Sequence, residues 1–559
     1  MNTRSAKVRQ DLRRNDEAER GLWKRHWPLL VSVSLYCGVT SLLVVLSIHR
    51  NQGHFIYALD DAYVHMAIAK NLVRHGVWGV TPFEFSSSTS SILWPLLLAL
   101  SYKLFGVNET APLIWSALSA VGVLWVGYWV LSAFRLRKGH AFAILLLLLL
   151  ATPLVPLTLT GMEHTFQAAL TLGLVFCSAK AMGPSADRQG SAMTGRRWIG
   201  LLCLAAAVTA VRYEGLFVIL AITLILLARR QWRHALLFCV CGILPVACFG
   251  LICHGHGWPL LPAPVLVKRS LYFGSPSDFA TNILASLVVN CMLGPSLAAL
   301  LVLVAWLYSS SSSLGRPHGT RADAMAAIFI ITAALHLGLA AVGWFYRYEA
   351  YLVALGITVA ACQLSELGSR DRAGRGGPAR VVMIAIAVTI ALLAWRGQES
   401  LRKTVAATAN IYDQQYQMAL FIHTYYEGST IALNDLGAVN YLADVHCLDL
   451  AGLATRKVLE ARLHEAYTTT EIQQWSESRG VQVALAYPPW FNEIGGLPKS
   501  WIKVGEWAIS KRTVTVGDSI SIFATTPEEV PGLVKNLRAF SPQMPPEVRQ
   551  TGLYELPMR

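Results

Sequence analysis

The chain has 559 residues, of which 54% are hydrophobic and 14% charged, whereas soluble globular domains carry about a quarter charged residues. That balance excludes a soluble globular protein and assigns most of the chain to lipid. The net charge of +14 does not mark a nucleic-acid binder, because Arg and Lys cluster in short segments between apolar runs and act there as topology signals.

Residues 1–28 form a basic tail with Arg4, Lys7, Arg9, Arg13, Arg14, Arg20, Lys24 and Arg25. No small-residue cleavage site follows, so the next apolar stretch is predicted to be an uncleaved first span. A bilayer core of about 30 Å needs roughly 20 apolar residues per helix. Windows near 29–48, 110–133, 141–160, 163–182, 198–212, 214–228, 234–253, 279–308, 324–343, 349–364 and 379–396 suit it. The expected fold class is an α-helical polytopic membrane protein of about 11 transmembrane helices.

With a cytoplasmic N-terminus, the loops assigned inside carry Arg135, Arg137, Lys138, Arg188, Arg196, Arg197, Arg229, Arg230, Arg233, Arg316, Arg321, Arg370, Arg372, Arg375 and Arg380. The outward segments before residue 397 are poorer in basic residues, which fixes the expected orientation. Residues 91–105 are apolar but too short to span, and are expected to be an interfacial or re-entrant helix in a first outer loop, 49–109. Transmembrane residues 29–396 then precede an outward α/β domain, 397–559. In it, 430–433 and 481–486 read as buried strands and 513–524 as a hairpin. Of the ten cysteines only Cys447 lies in this tail, which therefore has no internal disulfide.

Adjacent carboxylates at a membrane surface are expensive unless used. Asp60 and Asp61, in LDDAYVH just before a helical segment, suit either a cap on its first turn or a general base on an acceptor hydroxyl. Polar clusters recur at the outward junctions: Glu163 and His164, then Arg212, Tyr213 and Glu214, then Arg347, Tyr348 and Glu349. Each glutamate alone suits a helix N-terminus; three on one face point to an outward-opening polar cavity. The segment His254 to Arg269 is rich in proline and apolar residues and ends in Lys268 and Arg269. It reads either as an interfacial loop with snorkelling cations or as a seat for an isoprenoid chain with cations on its phosphate. Arg347 suits a headgroup anchor or a phosphate clamp equally. His254 and His256 lack a recognisable third ligand, so no metal site is expected. Asn434–Asp435 suits either a contact to an acceptor or a helix cap after a strand, and the cap is favoured.

In this order, LDDAYVHMAIAKNLVRHGVWGVTP, SSSTSSILWPLLLALSYKLFG, TLTGMEHTFQAALTLGL, VRYEGLFVIL, GWPLLPAPVLVK, FYRYEAYLVAL and IALNDLGAVNYLADVHCLDLAGLA resemble the GT-C superfamily of polyprenyl-phosphate-dependent glycosyltransferases. They look most like the branch holding the terminal arabinofuranosyltransferases of mycobacterial cell walls and their bacterial relatives, through most of residues 55–455. The resemblance implies a bacterial inner-membrane enzyme with an outward active site under its C-terminal domain. It implies inverting transfer from a polyprenyl-phosphate sugar, such as arabinofuranose, to an extracytoplasmic glycan, lipid or protein. Asp60 would be the base with Asp61 second. Tyr63, His65, Glu163, His164, Arg212, Tyr213, Glu214 and Tyr348 would line the cavity, and Lys268, Arg269 and Arg347 would hold the lipid phosphate. Relatives often carry Thr or Ser before RPEG, where this chain has Val211 and Tyr213. The alternative is a transporter or flippase of lipid-linked sugars, for which inverted repeats and broken mid-membrane helices would speak.

Overall fold

A computed structural model describes residues 2–182, 195–267, 279–310, 319–368 and 379–555. The helices before the soluble domain are α1 (Asn2–Arg50), α2 (Asp61–His75), α3 (Leu93–Phe105), α4 (Ala111–Ala133), α5 (Lys138–Ala151), α6 (Leu154–Leu159) and α7 (His164–Ala181). They continue as α8 (Gly195–Val211), α9 (Gly215–Ala228), α10 (Trp232–Gly255), α11 (Phe279–Leu293), α12 (Pro295–Ser309), α13 (Arg321–Leu339), α14 (Ala350–Gly368) and α15 (Ala379–Ile411). Every apolar window read from the sequence coincides with helix, but two are broken. The window 141–160 is divided between α5 and α6, and 279–308 bends by 105° at Gly294, where Pro295 opens a new helix and Asn290 Nδ2 donates to the carbonyls of Leu337 and Ala340. Among the described residues five helices are long and apolar enough to cross a bilayer, or six if that bent pair is one span. The others are shorter or less apolar.

The α3 helix lies where the short apolar run was expected. Trp94 is buried and donates from Nε1 to the Gly161 carbonyl at 3.2 Å. Leu96, Leu100 and Leu104, four residues apart, form an exposed apolar stripe on its other side.

The chain does not leave the bundle at residue 396. Helix α15 continues through a π-helical turn (Tyr412–Tyr416) into α16 (Gln417–Tyr425), so one unbroken rod carries the soluble domain. That domain contains β1 (Thr430–Leu433), α17 (Gly437–Leu442), β2 (His446–Asp449), α18 (Arg456–Leu463), α19 (Thr469–Arg479), β3 (Val483–Ala486), β4 (Ile502–Ala508), β5 (Ser519–Ala524), α20 (Val530–Phe540) and β6 (Arg549–Gly552). The strands form one mixed sheet in the order β2-β1-β3-β5-β4-β6, with β1 parallel to β2 and β3 and the remaining pairs antiparallel. The predicted strands at 430–433 and 481–486 are present. The hairpin is displaced: β5 pairs with β4, and residues 509–518 form the connecting loop. Asn410 explains this, because its Oδ1 accepts from the Thr513 and Val514 amides at 2.6 and 3.3 Å and its Nδ2 donates to the Lys511 carbonyl at 2.9 Å. These backbone groups are satisfied outside any ladder.

Alternation along the strands splits the soluble core in two. Ala432, Leu448, Ala484 and Ala486 pack under Val458, Phe491 and Trp501 on one face. On the other, Ile431, Leu433, Val483 and Leu485 share one continuous cluster with Ile56, Tyr57, Ala62, Tyr63 and Trp94. The segment 56–102 thus packs into one face of the C-terminal sheet.

Candidate active site

The two neighbouring aspartates face opposite ways. Helix α2 opens at Asp61, and Asp60 stands at its N-cap position without a side-chain cap bond. Instead, Asp60 accepts from the amides of Gly437 (2.7 Å) and Ala438 (2.8 Å). It caps a helix of the soluble domain, 377 residues away in sequence. Gly437 is required there, since a Cβ would lie 2.2 Å from the Asp60 carbonyl oxygen and 2.7 Å from Oδ2. The expected cap by Asn434–Asp435 is therefore replaced. Asn434 Oδ1 accepts from the Tyr487 amide, and Asp435 accepts from Gln415 Nε2 at 2.7 Å and the Tyr487 hydroxyl at 3.2 Å.

Withdrawal from water, with Asp435 close by, raises Asp60 above the usual carboxylate range, and its two backbone donors only partly offset this. Burial likewise raises Asp435. Lys70 reinforces the docking, donating to Asp444 at 2.8 Å and to the Tyr441 carbonyl at 2.9 Å. Tyr63 also turns this way, with its ring near Tyr57 and Tyr441 and its hydroxyl accepting from the Tyr57 amide.

Asp61 looks into the bundle instead. Its side chain is 43% exposed and pairs with Arg347, which is 3% exposed. Arg347 also donates to the Tyr348 hydroxyl at 3.1 Å and to Met162 Sδ at 2.8 Å, and its guanidinium lies 4.9 Å from the Tyr348 ring centroid. Behind it, Arg212 spans Glu163 (2.7 Å) and Glu214 (2.6 Å) and comes within 3.5 Å of His164. His65 Nε2 stands 3.5 Å from Glu163 and its Nδ1 3.2 Å from Thr89. Burial lowers the His65 pKa. Glu163 and Glu214 occupy N-cap positions of α7 and α9 but make no side-chain cap bonds; Arg212 holds both. Burying Glu163 is tolerable only because Arg212 neutralises it.

Asp61, His65, Glu163, His164, Arg212, Glu214, Arg347 and Tyr348 thus converge on one polar region. Asp60 and Tyr63 belong to the domain junction. Tyr213 is buried, and its hydroxyl has no hydrogen-bond partner among the described residues. Lys268 and Arg269 lie outside the described residues. The segment leading to them packs inward: Trp258 and Ala263 are buried with Phe249 and Leu459, His256 stacks on Phe85 at 4.2 Å, and Arg456 donates to the Gly257 carbonyl. Its best-buried apolar residues therefore face protein.

Three contributors were not singled out in the sequence. Arg396 in α15 pairs with Glu349 and donates to the Tyr346 carbonyl at 2.7 Å. A lone arginine in an apolar run was the available signal. Gln415 and Tyr487 hold Asp435, and nothing local distinguishes them. Just before Arg347, Trp344, Phe345 and Tyr346 take successive φ values of 42°, 61° and 62°. For residues with side chains this left-handed backbone costs about 1–2 kcal/mol each, and such strain gathers at functional sites.

A family model described as a domain of unknown function (DUF8728) matches residues 409–523, from the π-helical turn to β5. No curated protein matches the chain. Among solved structures, ArnT from Cupriavidus metallidurans bound to undecaprenyl phosphate is similar with a TM-score of 0.50 at 14% identity, covering 89% of this chain and 98% of that one. An Archaeoglobus fulgidus oligosaccharyltransferase in its apo form gives 0.48 at 12% identity, with 90% and 75% covered. The oligosaccharyltransferase AglB of the same organism, with an inhibitory peptide and a dolichol-phosphate, gives 0.44 at 12% identity, with 83% and 69% covered. The likeness to ArnT is one of fold: a many-helix, GT-C-like membrane domain with a sheet-containing C-terminal domain.

Proposed function

We propose that the chain is an integral membrane glycosyltransferase that moves a sugar from a polyprenyl phosphate to an extracytoplasmic acceptor, with Asp61 as general base. The arrangement that carries this reading is the half-exposed Asp61 carboxylate paired with buried Arg347, while both Asp60 oxygens are taken by Gly437 and Ala438. Asp60, the first choice from sequence, becomes a positioning residue. The fold shared with ArnT, whose structure holds undecaprenyl phosphate, supports a polyprenyl-phosphate donor. The sequence motifs make a pentofuranose such as arabinose the first sugar to test.

In the proposed step, the acceptor oxygen attacks the anomeric carbon from the face opposite the phosphate. The new C–O bond forms as the bond to phosphate oxygen breaks, so the configuration inverts. The hydroxyl proton passes to Asp61. The departing polyprenyl phosphate gathers negative charge, and Arg347 stabilises it, exchanging its carboxylate partner for phosphate. Lys268 and Arg269 are proposed as further phosphate cations. His65, held neutral, and the Arg212 network keep the walls of the site in place. The reading puts the N-terminus in the cytoplasm and residues 397–559 outside, in the orientation that the basic loops favour. A transporter would break its helices at mid-bilayer, but the 105° break at Gly294 lines a cavity together with Trp344 and with Thr513 of the C-terminal domain.

The test uses purified full-length protein and undecaprenyl-phosphoryl-arabinofuranose, with release of undecaprenyl phosphate as the readout. Asp61→Asn should lower turnover by about 10²- to 10⁴-fold, and Asp60→Asn should retain much more. The opposite pattern returns the base to Asp60; full turnover by both variants removes the pair from the chemistry.

A further inference from the structure

The strained turn before Arg347 forms one wall of a cavity that the proposed reaction has not used. This cavity, of about 320 Å³, is lined by Leu59, Trp344, Phe345 and residues 512–516. Its size is at the lower end of small-molecule sites, about 300–1,000 Å³. Leu59, on its wall, directly precedes the Asp60–Asp61 pair in the chain. The opposite wall is a rigid loop: Asn410 grips residues 511–514, and Gln414 Nε2 donates to the Asp518 carbonyl at 3.1 Å.

The lining is chemically mixed. Trp344 is 48% exposed, a large aromatic surface that no hydrophobic core has claimed. Thr515 is only 5% exposed, yet its Oγ1 has no hydrogen-bond partner among the described residues. An orphaned buried hydroxyl calls for a ligand group. An aromatic face beside hydroxyl donors and acceptors suits a sugar ring, whose C–H face is apolar and whose rim is hydroxylated. A peptide would instead favour an open sheet edge, and no residue lining this space belongs to a strand.

We propose that this cavity is the acceptor subsite and that the acceptor is a glycan, its terminal ring resting on Trp344 with a hydroxyl on Thr515 Oγ1. The proposal rests on the glycosyltransferase reading and deepens it by naming the acceptor class.

Two measurements on the full-length protein in detergent test it. Saturation-transfer NMR with methyl glycosides of pentoses and hexoses reads binding without any donor. Ring-proton saturation is expected for the parent and should fall severalfold for Trp344→Gly, which suits the positive φ and removes the side chain, and for the near-isosteric Thr515→Val. No saturation in the parent, or equal saturation in both variants, overturns the subsite. Kinetics with undecaprenyl-phosphoryl-arabinofuranose should show a glycoside KM raised tenfold or more in either variant, with kcat changed far less. Stimulation of donor use by an unglycosylated peptide, and not by glycosides, overturns the acceptor class. If the parent releases no undecaprenyl phosphate under any condition, the glycosyltransferase reading fails, and the NMR result still decides whether the cavity binds sugar.

Discussion

Asp60 couples the membrane domain to the soluble domain, and the strength of that coupling can be measured. In Asp60→Asn one oxygen still accepts, but the other becomes an NH2 group facing a backbone amide. One charge-assisted bond, worth about 1.5–3 kcal/mol, is lost. For a domain of this size, each kcal/mol moves the melting temperature by about 2–4 °C, so a drop of about 3–12 °C is expected. Removing one carboxylate of the Asp60–Asp435 pair relieves repulsion and acts the other way, so a second variant is needed. Gly437→Ala keeps both carboxyl groups and forces a Cβ to within 2.2 Å of the Asp60 carbonyl oxygen, opening the junction sterically. Tryptophan fluorescence melting of the purified protein, with limited proteolysis of the C-terminal domain, provides the readout. If both variants melt and digest like the parent, the junction does not depend on Asp60, and its assignment as a positioning residue falls with it.

Arg212→Ala should cost about 3–5 kcal/mol, because it strands buried Glu163 without its cation. Arg212→Lys, unable to form the planar fork between two carboxylates, should fall between, and equal melting of all three proteins refutes the network's role. Asp435→Asn tests the raised carboxyl pair. Its members bind protons in the folded state above the unfolded value of about 3.9, so their protonated form favours folding at low pH and that contribution is lost as pH rises through the folded pKa. Relative to the parent, Asp435→Asn should therefore gain more stability at pH 8.5 than at pH 5.5; a pH-independent difference refutes the raised carboxyls.

Much of the fold was legible because hydropathy acts locally. Helices lie in every predicted apolar window, and the amphipathic α3 sits in the run that was too short to span. The break at Gly294 was hidden because both of its arms are equally apolar. TVTV at 513–516 alternates like a strand, but Asn410 holds this backbone in a loop from a helix 100 residues earlier. The polar clusters at Glu163, Arg212 and Arg347 announced themselves as charges in apolar surroundings. How Asp60 and Asp61 divide their roles could not be read, because the difference lies in what each faces. Gly437 and Ala438 are far along the chain, and nothing around LDDA encodes them.

That same separation sets the timing of maturation. The 377 residues between Asp60 and Gly437 take about 20–75 s to synthesise at 5–20 residues per second. Throughout that interval Ile56, Tyr57 and Tyr63 have no β1 or β3 to pack against. Contacts this distant in sequence close late, after the local helices have formed. A nascent or truncated chain would therefore have its apolar helices formed while its acidic loop is still unset.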